Sequence, residues 1–475
     1  MERETQRQLH TSLLDEECSS TYGIQNGGSS VTAAVVLSTF IAVCGSYVFG
    51  ASVGYSSPAE NGIRSDLGLS VAEYSIFGSI LTIGAMLGAA MSGKIADVVG
   101  QRIAMGISEI LCIIGWLAIF LSKNAWPLDL GRLLTGIGVG SLSYLVPVYI
   151  ADVTPKNLRG GFANFHQFMI TFGTAMTYIL GTVVSWRILA LIGTIPCLVH
   201  LVGLFMIPES PRWLAKTGRH REFEVTLQNL RGANSDISQE ANQIKDYTEL
   251  LEQLPKARIL ELFQRTYSWS LIVGVGLMLL RQLGGVSAIS FYASSIFEAA
   301  GFSATIGTIV MAAVQIVMII LSVFLTDKSG RRVLLMVSAS GTCVGCLLVG
   351  LAFSLQDIHW CKAFAPIVAF VGILVYSAFF GVGLAAIPWL LMSEIFPVNV
   401  KGSAGSLVSM VNWFTSWIVT FVFNFSMEWS SAGTFYIFAG IGGLTVIFVA
   451  KMVPETKRRT LEEIQAAMNP LAERR

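Results

Sequence analysis

The sequence predicts an all-α membrane protein in which twelve transmembrane helices form two six-helix pseudo-repeat bundles, joined by a cytosolic linker with short helices. Three observations predict this fold class: a surplus of apolar residues, apolar runs long enough to span a bilayer, and polar phrases that recur in the second half. The 475-residue chain is 53% hydrophobic and 13% charged, with a mean hydropathy of +0.65. A soluble fold of this length needs far fewer apolar side chains, so the surplus indicates contact with lipid.

Long apolar runs recur along the whole chain. A helix needs roughly 20 apolar residues to cross the hydrocarbon core of a bilayer. Strands of a membrane barrel would alternate over about ten residues, whereas these runs are continuous and longer. We therefore predict spanning helices at 31–55, 74–92, 103–122, 126–150, 161–184, 188–207, 269–293, 303–325, 333–355, 363–392, 402–425 and 432–452.

The distribution of basic residues predicts the orientation of these helices. Lysine and arginine concentrate in the segments 1–30, 93–102, 152–160, 208–268, 326–332, 393–401 and 453–475. The loops at the other end hold only Arg64, Lys123, Arg187 and Lys362. Because basic loops stay in the cytosol, both chain ends and the central segment are expected on the cytosolic side.

Three polar phrases occur once in each half and in the same order. ADVVGQR (96–102) is echoed by TDKSGRR (326–332), and DVTPKNLRG (152–160) by EIFPVNVKG (394–402). PES at 208 is echoed by PET at 454. Parallel repeats of this kind are typical of transporters in which two bundles move around a central site. The expected divisions are a tail (1–30), a bundle (31–207), the linker (208–268), a second bundle (269–452) and a tail (453–475).

The repeated phrases also carry matched acids and bases at the cytosolic helix junctions. In the first half we expect pairs of Asp97 with Arg102, Asp152 with Arg159, and Glu209 with Arg212. The second half offers Asp327 with Arg331 and Arg332, Glu394 with Lys401, and Glu455. Arginine can grip a carboxylate through two hydrogen bonds, so each set is interpreted as a charge latch that closes in one state and opens in another. Helix capping and positive-inside topology would explain the bases but not the matched acids.

Other chemistry is not indicated. Cys343 and Cys346 have metal-ligand spacing but lie in an apolar run without a second pair, so packing is the expected role. The glycine run GIGVG (136–140) also lies within an apolar helix, where small residues allow close helix contact. Because no catalytic motif is present, we expect no enzyme activity, no cofactor, no metal and no nucleic-acid partner.

Taken together, GRLLTGIGVG, PVYIADVTPKNLRG, PESPRWL, IPWLLMSEIFP and PETKRRTLEEI resemble the sugar porter family of the major facilitator superfamily. The resemblance covers nearly the whole chain and implies the major facilitator fold and sugar transport by alternating access. VGYSSPAENGI (53–63) and FYASSIFEAAG (291–301) are most similar to the plant vacuolar monosaccharide transporters of the early-responsive-to-dehydration type.

The resemblance extends to the N-terminal tail and to its partners. LHTSLL (9–14) fits the LxxxLL sorting pattern of that subfamily, which assigns Leu9, Leu13 and Leu14 to a sorting adaptor. This implies the vacuolar membrane, with the plasma membrane as the alternative location. The other expected partners are a small sugar and the lipid bilayer.

The resemblance also implies a set of sugar contacts. Amides can both donate and accept hydrogen bonds from a ring of hydroxyls, and tryptophan suits the apolar face of a pyranose. For any single amide, hydrogen bonding between helices is the alternative. The implied contacts are Gln167, Arg281, Gln282, Ser287, Gln315, Trp389, Asn412 and Trp413.

The chain departs from the family pattern near this site. Arg281 stands where the family usually has glutamine, Ser287 where it has asparagine, and Gly381 where some hexose facilitators have glutamate. An arginine inside a membrane is costly unless it is hydrated or paired. Arg281 is therefore expected either to extend toward the interface or to line the cavity and alter substrate preference, which leaves a polyol as an alternative substrate.

The residues implied for gating and coupling are Ser52, Arg132 and Tyr292. Proton-coupled relatives carry an aspartate at the position of Ser52, facing the fourth-span arginine, and serine cannot exchange a proton there. We therefore expect facilitated diffusion of a hexose. The open alternatives are proton-coupled export through Glu109, Asp66 or Glu73, and a non-transporting sugar sensor.

Overall fold

The computed structural model describes residues 32–155, 159–253, 262–264, 267–357, 364–396 and 398–457. These residues are helical almost throughout, and no strand occurs among them. The predicted fold class is confirmed. The sorting residues Leu9, Leu13 and Leu14 lie outside the described residues, as do the side chains of Arg159, Asp327 and Lys401.

Among the described residues, the first half contains seven α-helices: α1 (Ala33–Gly54), α2 (Ser56–Leu67), α3 (Val71–Val99), α4 (Gln101–Leu121), α5 (Ala125–Val153), α6 (Arg159–Gly181) and α7 (Trp186–Gly203), which a short 3-10 helix (Leu204–Met206) follows. Polar residues set several of their starts. Thr32 accepts a hydrogen bond from the Val35 amide to begin α1, and Ser70 and Glu73 form a capping box at the start of α3. Helix α2 was not predicted, since the sequence placed a loop there.

The cytosolic segment forms three short α-helices within its described residues: α8 (Pro211–Lys216), α9 (His220–Arg231) and α10 (Ser238–Gln253). Leu214, Phe223 and Leu227 form a small apolar core between them. Arg231 donates to the Val153 carbonyl at 2.8 Å and pairs with Glu240. These contacts fix the linker helices to the cytosolic end of α5.

The described part of the second half contains nine α-helices: α11 (Ser268–Leu283), α12 (Val286–Phe291), α13 (Ala293–Ala299), α14 (Ala304–Lys328), α15 (Arg331–Asp357), α16 (Ala365–Val382), α17 (Ile387–Ile395), α18 (Val398–Trp429) and α19 (Ser431–Met452). Within the described ranges, ten helical segments are long and apolar enough to cross a membrane, and Ser268–Leu283 is a shorter apolar helix. The remaining expected span corresponds to the more polar α6.

Two expected spans are broken rather than continuous. The run 269–293 is interrupted at Gly285, whose φ of +90° favours glycine and whose added Cβ would lie 2.6 Å from the Phe438 ring. The run 363–392 is interrupted after Val382, and α17 restarts with Pro388 in its first turn. Carbonyls at such breaks lack their helical partners, so they become available to side chains.

Glycines bring α3 and α5 into backbone contact, as the GIGVG run predicted. A Cβ on Gly88 would overlap the Ile137 carbonyl, and one on Gly140 would overlap the Ala85 carbonyl. This contact leaves no room for side chains, so the two helices pack at the distance that small residues allow.

Candidate functional site

A hydrogen-bonded network lies in the core of the second half, and we call Gln282, Ser287, Asn412 and Ser416 the central polar network. Gln282 Nε2 donates to Asn412 Oδ1 at 2.8 Å, and Ser287 Oγ donates to Gln282 Oε1 at 2.7 Å. Ser416 Oγ lies 2.7 Å from Ser287 Oγ. Because the Ser287 hydroxyl donates its hydrogen to Gln282, Ser416 acts as the donor in this second bond. All four side chains are buried.

The network joins three of the residues implied by the resemblance and adds one that the sequence analysis missed. Gln282 ends α11, Ser287 begins α12 just past the Gly285 break, and Asn412 lies on α18. Ser416 lies one helical turn after Asn412 on the same face. That four-residue spacing of polar residues in an apolar helix is the signal that could have identified it.

Arg281 is tied to this network and does not extend to the membrane surface. Its Nη1 donates to Asn412 Oδ1 at 3.1 Å and its Nε to the Leu384 carbonyl at 2.9 Å. The guanidinium also lies 5.4 Å from the centre of the Phe380 ring. Leu384 lies in the break between α16 and α17, where its carbonyl lacks a helical partner. Arg281 thus links the broken tenth span to the network.

The two donors also set the orientation of the Asn412 amide. Because its Oδ1 accepts from both Arg281 and Gln282, its Nδ2 is left as the group that can donate elsewhere. The assignment of oxygen and nitrogen follows from this network. The site therefore contains a fixed amide donor on α18, and the next residue, Trp413, is also buried.

The other side chains that the resemblance implies as sugar contacts are less closely connected to the central polar network. Trp413 packs against Phe49 of the first half, with ring centres 5.9 Å apart. Trp389 is half-buried on α17 and packs against the apolar core of the second half. Gln167 on α6 and Gln315 on α14 are partly buried on two helices that pack together. Within the described ranges, no hydrogen bond joins these last three side chains to the central polar network.

Arg132 is fully buried on α5 and contacts Ser52 only through the backbone. Its Nη1 donates to the Ser52 carbonyl at 2.9 Å, and its Nη2 donates to Ser56 Oγ. The guanidinium faces the rings of Tyr55 and Phe77, at 5.4 and 5.1 Å from their centres. Among the residues with described side chains, no carboxylate lies within ion-pair distance of it. Carbonyl, hydroxyl and aromatic groups therefore balance this charge.

The three carboxylates considered as substitutes all have local partners. Glu109 Oε1 lies 2.6 Å from His200 Nδ1, and both side chains are fully buried between α4 and α7. Asp66 accepts a hydrogen bond from the indole of Trp186 at 2.8 Å. Glu73 caps α3. Each of these contacts lies within the first half.

Polar contacts between the two halves lie at the end of the molecule opposite the PE phrases. The distribution of basic residues indicates that this end is extracytosolic. We call these contacts the extracytosolic gate. Tyr178 Oη donates to the Ser290 carbonyl at 2.5 Å, and Asn424 Nδ2 donates to Ser75 Oγ at 3.1 Å. The remaining gate pairs are Ser57 with Ser294, Glu60 with Ser295, and Asn61 with Glu298.

Tyr292 lies inside this gate. Its hydroxyl donates to the Thr420 carbonyl at 3.1 Å, and its ring stacks on Phe423 and meets the ring of Tyr74. Gly78 provides the space, because a Cβ there would lie 2.5 Å from Tyr292 Oη. The aromatic groups close the extracytosolic side in this conformation.

The first cytosolic cluster has different pairings from those expected. Glu209 accepts hydrogen bonds from the backbone amides of Gln101 and Arg102, at 3.0 and 3.1 Å, instead of pairing with Arg212. The free N–H groups at the start of α4 attract this carboxylate. Burial raises the pKa of Glu209, and these hydrogen bonds oppose the rise.

Two aspartates of this cluster pair with basic residues of the α8 helix. Arg212 Nε lies 3.4 Å from Asp152 Oδ1, and Lys216 Nζ lies 2.7 Å from Asp97 Oδ1. Arg102 instead donates to the Ile207 carbonyl at 3.1 Å. The expected pairs of Asp97 with Arg102 and Glu209 with Arg212 are therefore wrong, because the linker helix supplies the bases.

The second cytosolic cluster repeats the same geometry. Glu455 accepts from the backbone amides of Arg331 and Arg332 at 2.9 and 3.1 Å. Arg331 Nη2 lies 3.2 Å from Glu394 Oε1, and Thr456 donates to Glu394. Each cluster thus fixes a PE phrase on the N-terminus of a helix of its own half. Within the part of the chain that the structure describes, no ion pair joins the two clusters.

Two broken helices around a central polar network, with a closed gate at one end, define a membrane transporter of the major facilitator fold. The chain matches the family described as "Sugar (and other) transporter" over residues 30–468. It belongs to this family and is a transporter, not an enzyme. The resemblance to sugar porters stated from the sequence is confirmed.

Curated relatives and solved structures agree with this placement. "Sugar transporter ERD6-like 7" of Arabidopsis thaliana is 52% identical over 436 residues, covering 92% of this chain and 94% of its own length. "Sugar transporter ERD6-like 16" of the same plant is 54% identical over 435 residues, covering 91% and 90%. The partially occluded inward-open xylose transporter XylE from E. coli superposes with a TM-score of 0.78 at 25% identity, covering 90% of this chain and 100% of its own.

Proposed function

We propose that this transporter carries a neutral monosaccharide, a hexose, by facilitated diffusion through alternating access. The halves 31–207 and 269–452 would move against each other around the central polar network. The observation that carries this proposal is the network itself, in which hydroxyl and amide groups are buried in the core of the second half, with a buried tryptophan, Trp413, next to Asn412 in the sequence. These are the groups that bind sugar hydroxyls and a sugar ring face.

In this proposal the implied contacts have three kinds of role. Gln282, Asn412 and Trp413 contact the sugar from the second half, and Gln167 of α6 completes the site from the first half. Gln315, Trp389 and Ser287 shape the rest of the cavity. Arg281 is a positioning residue, since its two hydrogen bonds hold the Asn412 amide and the tenth-span break.

Facilitated diffusion is supported by the surroundings of Arg132. A proton-coupled carrier needs a group that binds and releases a proton between states, and Ser52 offers only a backbone carbonyl to Arg132. The alternative, proton-coupled export, would need Glu109 to act despite its pairing with His200. We also propose that the two cytosolic clusters are halves of a latch that meet when the cytosolic side closes.

The vacuolar membrane is the proposed location, on the basis of the LHTSLL tail and the relatives named ERD6-like. A Leu13→Ala, Leu14→Ala double variant should move a fluorescent fusion to the plasma membrane. Continued vacuolar fluorescence of this variant would exclude the tail as the address.

The central experiment is uptake of labelled glucose into proteoliposomes, with and without an imposed pH gradient. Equilibration without accumulation, unaffected by the gradient, is expected. Accumulation driven by protons would overturn facilitated diffusion, and transport of a polyol in preference to glucose would assign Arg281 a role in specificity. Sugar binding without flux would indicate a sensor.

A further inference from the structure

One carboxylate lies buried between the two halves at the extracytosolic gate. Glu60 is on α2, beyond the end of the spanning helix α1, and is only 3% exposed. Ser295 on α13 donates a hydrogen bond to its Oε2. One turn away, Ser57 and Ser294 lie 2.9 Å apart. Glu60 therefore contributes to the surface where the two halves must separate for the gate to open.

Charged and titratable groups of several helices surround Glu60. Among the described residues, the titratable and charged groups that face it are Arg64 on α2 itself, Glu298 on α13, Tyr74 on α3 and Tyr292 between α12 and α13. Arg64 is the one cation, and its Nη1 lies 3.8 Å from Glu60 in a partly exposed position.

These surroundings favour the neutral form of the carboxyl group. Burial raises the pKa of Glu60 from 4.5 to about 7; the Ser295 hydrogen bond and Arg64 oppose the rise, and the charge of Glu298 adds to it. An ionised carboxylate in this position would lack the water that normally solvates it.

We infer that Glu60 is a proton-binding site of the extracytosolic gate, and that a proton bound there holds the gate closed. Opening the gate exposes the carboxyl group to water, where its pKa returns to its ordinary value of about 4.3. The closed gate therefore binds the proton more tightly than the open gate. By linkage, the stabilisation of the closed gate is complete below that ordinary pKa and is lost as pH rises through about 7.

The proton enters and leaves on the same side of the membrane, because Glu60 lies at the extracytosolic end in either state. No proton is carried across with the sugar. Extracytosolic acid thus slows the opening step without changing the sugar ratio at equilibrium. This inference rests on the proposed facilitated diffusion and adds a pH-dependent rate to it.

The test is equilibrium exchange of labelled glucose in proteoliposomes with the same pH on both sides. From pH 8 to pH 5 the exchange rate of the wild type should fall by about tenfold or more. Glu60→Gln, which stays neutral, should exchange slowly at every pH, near the wild-type rate at pH 5. Glu298→Gln removes an exposed carboxylate of the same gate and should keep a fall in rate, with its midpoint moved to lower pH, because the charge of Glu298 raises the pKa of Glu60. A flat wild-type profile, or an unchanged fall in Glu60→Gln, overturns the inference.

A milder variant and a direct measurement protect the test against misfolding. Ser295→Ala removes the hydrogen bond that favours the ionised form, so the midpoint of the pH profile should move to higher pH; an unmoved midpoint contradicts the inference. Infrared titration of the full-length protein should show a protonated carboxyl band near neutral pH that Glu60→Gln lacks. If no variant exchanges glucose at any pH, the proposed function fails, while the infrared band still decides the proton site.

Discussion

The link between Arg281 and Asn412 can be measured with a double-mutant cycle. Asn412→Ala removes the acceptor of two buried donors, Arg281 Nη1 and Gln282 Nε2. Each orphaned donor costs about 1–3 kcal/mol, so the unfolding free energy should fall by about 2–6 kcal/mol. When Arg281→Met is already present, Asn412→Ala orphans only Gln282 and should cost about half as much. The expected coupling energy is therefore about 1–3 kcal/mol.

Thermal unfolding of the detergent-solubilised variants gives the stability differences, and glucose binding to the same samples gives the functional effect. Asn412→Ala should also weaken binding by about tenfold, since it removes an amide hydrogen bond worth about 1.4 kcal/mol. Ser354→Ala is the matched control, because its hydroxyl contacts Tyr436 at the exposed end of α15. It should be additive with Arg281→Met.

Two results would refute the reasoning. A coupling energy below about 0.5 kcal/mol, which is within the usual error of additivity, would mean that Arg281 does not hold Asn412. Equal stability of Asn412→Ala and the wild type would mean that the two donors find other partners and that the central polar network is not a rigid unit.

Three further predictions follow from the packing and the charges. Gly88→Ala should lower the thermal unfolding temperature, since its Cβ would overlap a backbone carbonyl and overpacking costs about 1–3 kcal/mol, whereas Gly440→Ala has open space and should not. Glu209→Gln weakens the acceptor for the first amides of α4, so limited proteolysis should cleave the linker faster than in wild type. Ser52→Asp places a carboxylate beside Arg132, and proteoliposomes should then accumulate glucose under an inward proton gradient; unchanged equilibration would contradict the assignment of Ser52.

The spanning helices could be predicted because hydropathy is a property of the sequence alone. Their breaks could not, since a break at Gly285 depends on the Phe438 ring that packs against it from α19. Likewise, the run 363–392 contains Gly383 and Pro388. Because the run is apolar throughout, its hydropathy does not indicate that α16 ends at Val382. Breaks of this kind are decided by tertiary contacts, which hydropathy does not report.

The central polar network could be predicted only in part. The resemblance supplied Gln282, Ser287 and Asn412, but not Ser416, because a serine in an apolar helix more often bonds to its own backbone. The cytosolic pairings failed for a related reason. The sequence analysis paired side chains with side chains, whereas Glu209 accepts hydrogen bonds from backbone amides at the start of α4, and Glu455 from backbone amides at the start of α15.

The two ends of the molecule are held by different chemistry, and the difference fits a carrier. At the cytosolic end the charged contacts lie within each half, so they move with it and need not break. At the extracytosolic end the contacts between halves are mostly hydroxyl, amide and carbonyl groups, each worth about 0.5–1.5 kcal/mol net. In such a gate the rings of Tyr292 and Tyr74 exclude water, yet the contacts are weak enough for thermal motion to open it. Two carboxylates, Glu60 and Glu298, also take part in the gate. Glu60 is the buried one, and its protonation makes the strength of the gate depend on pH.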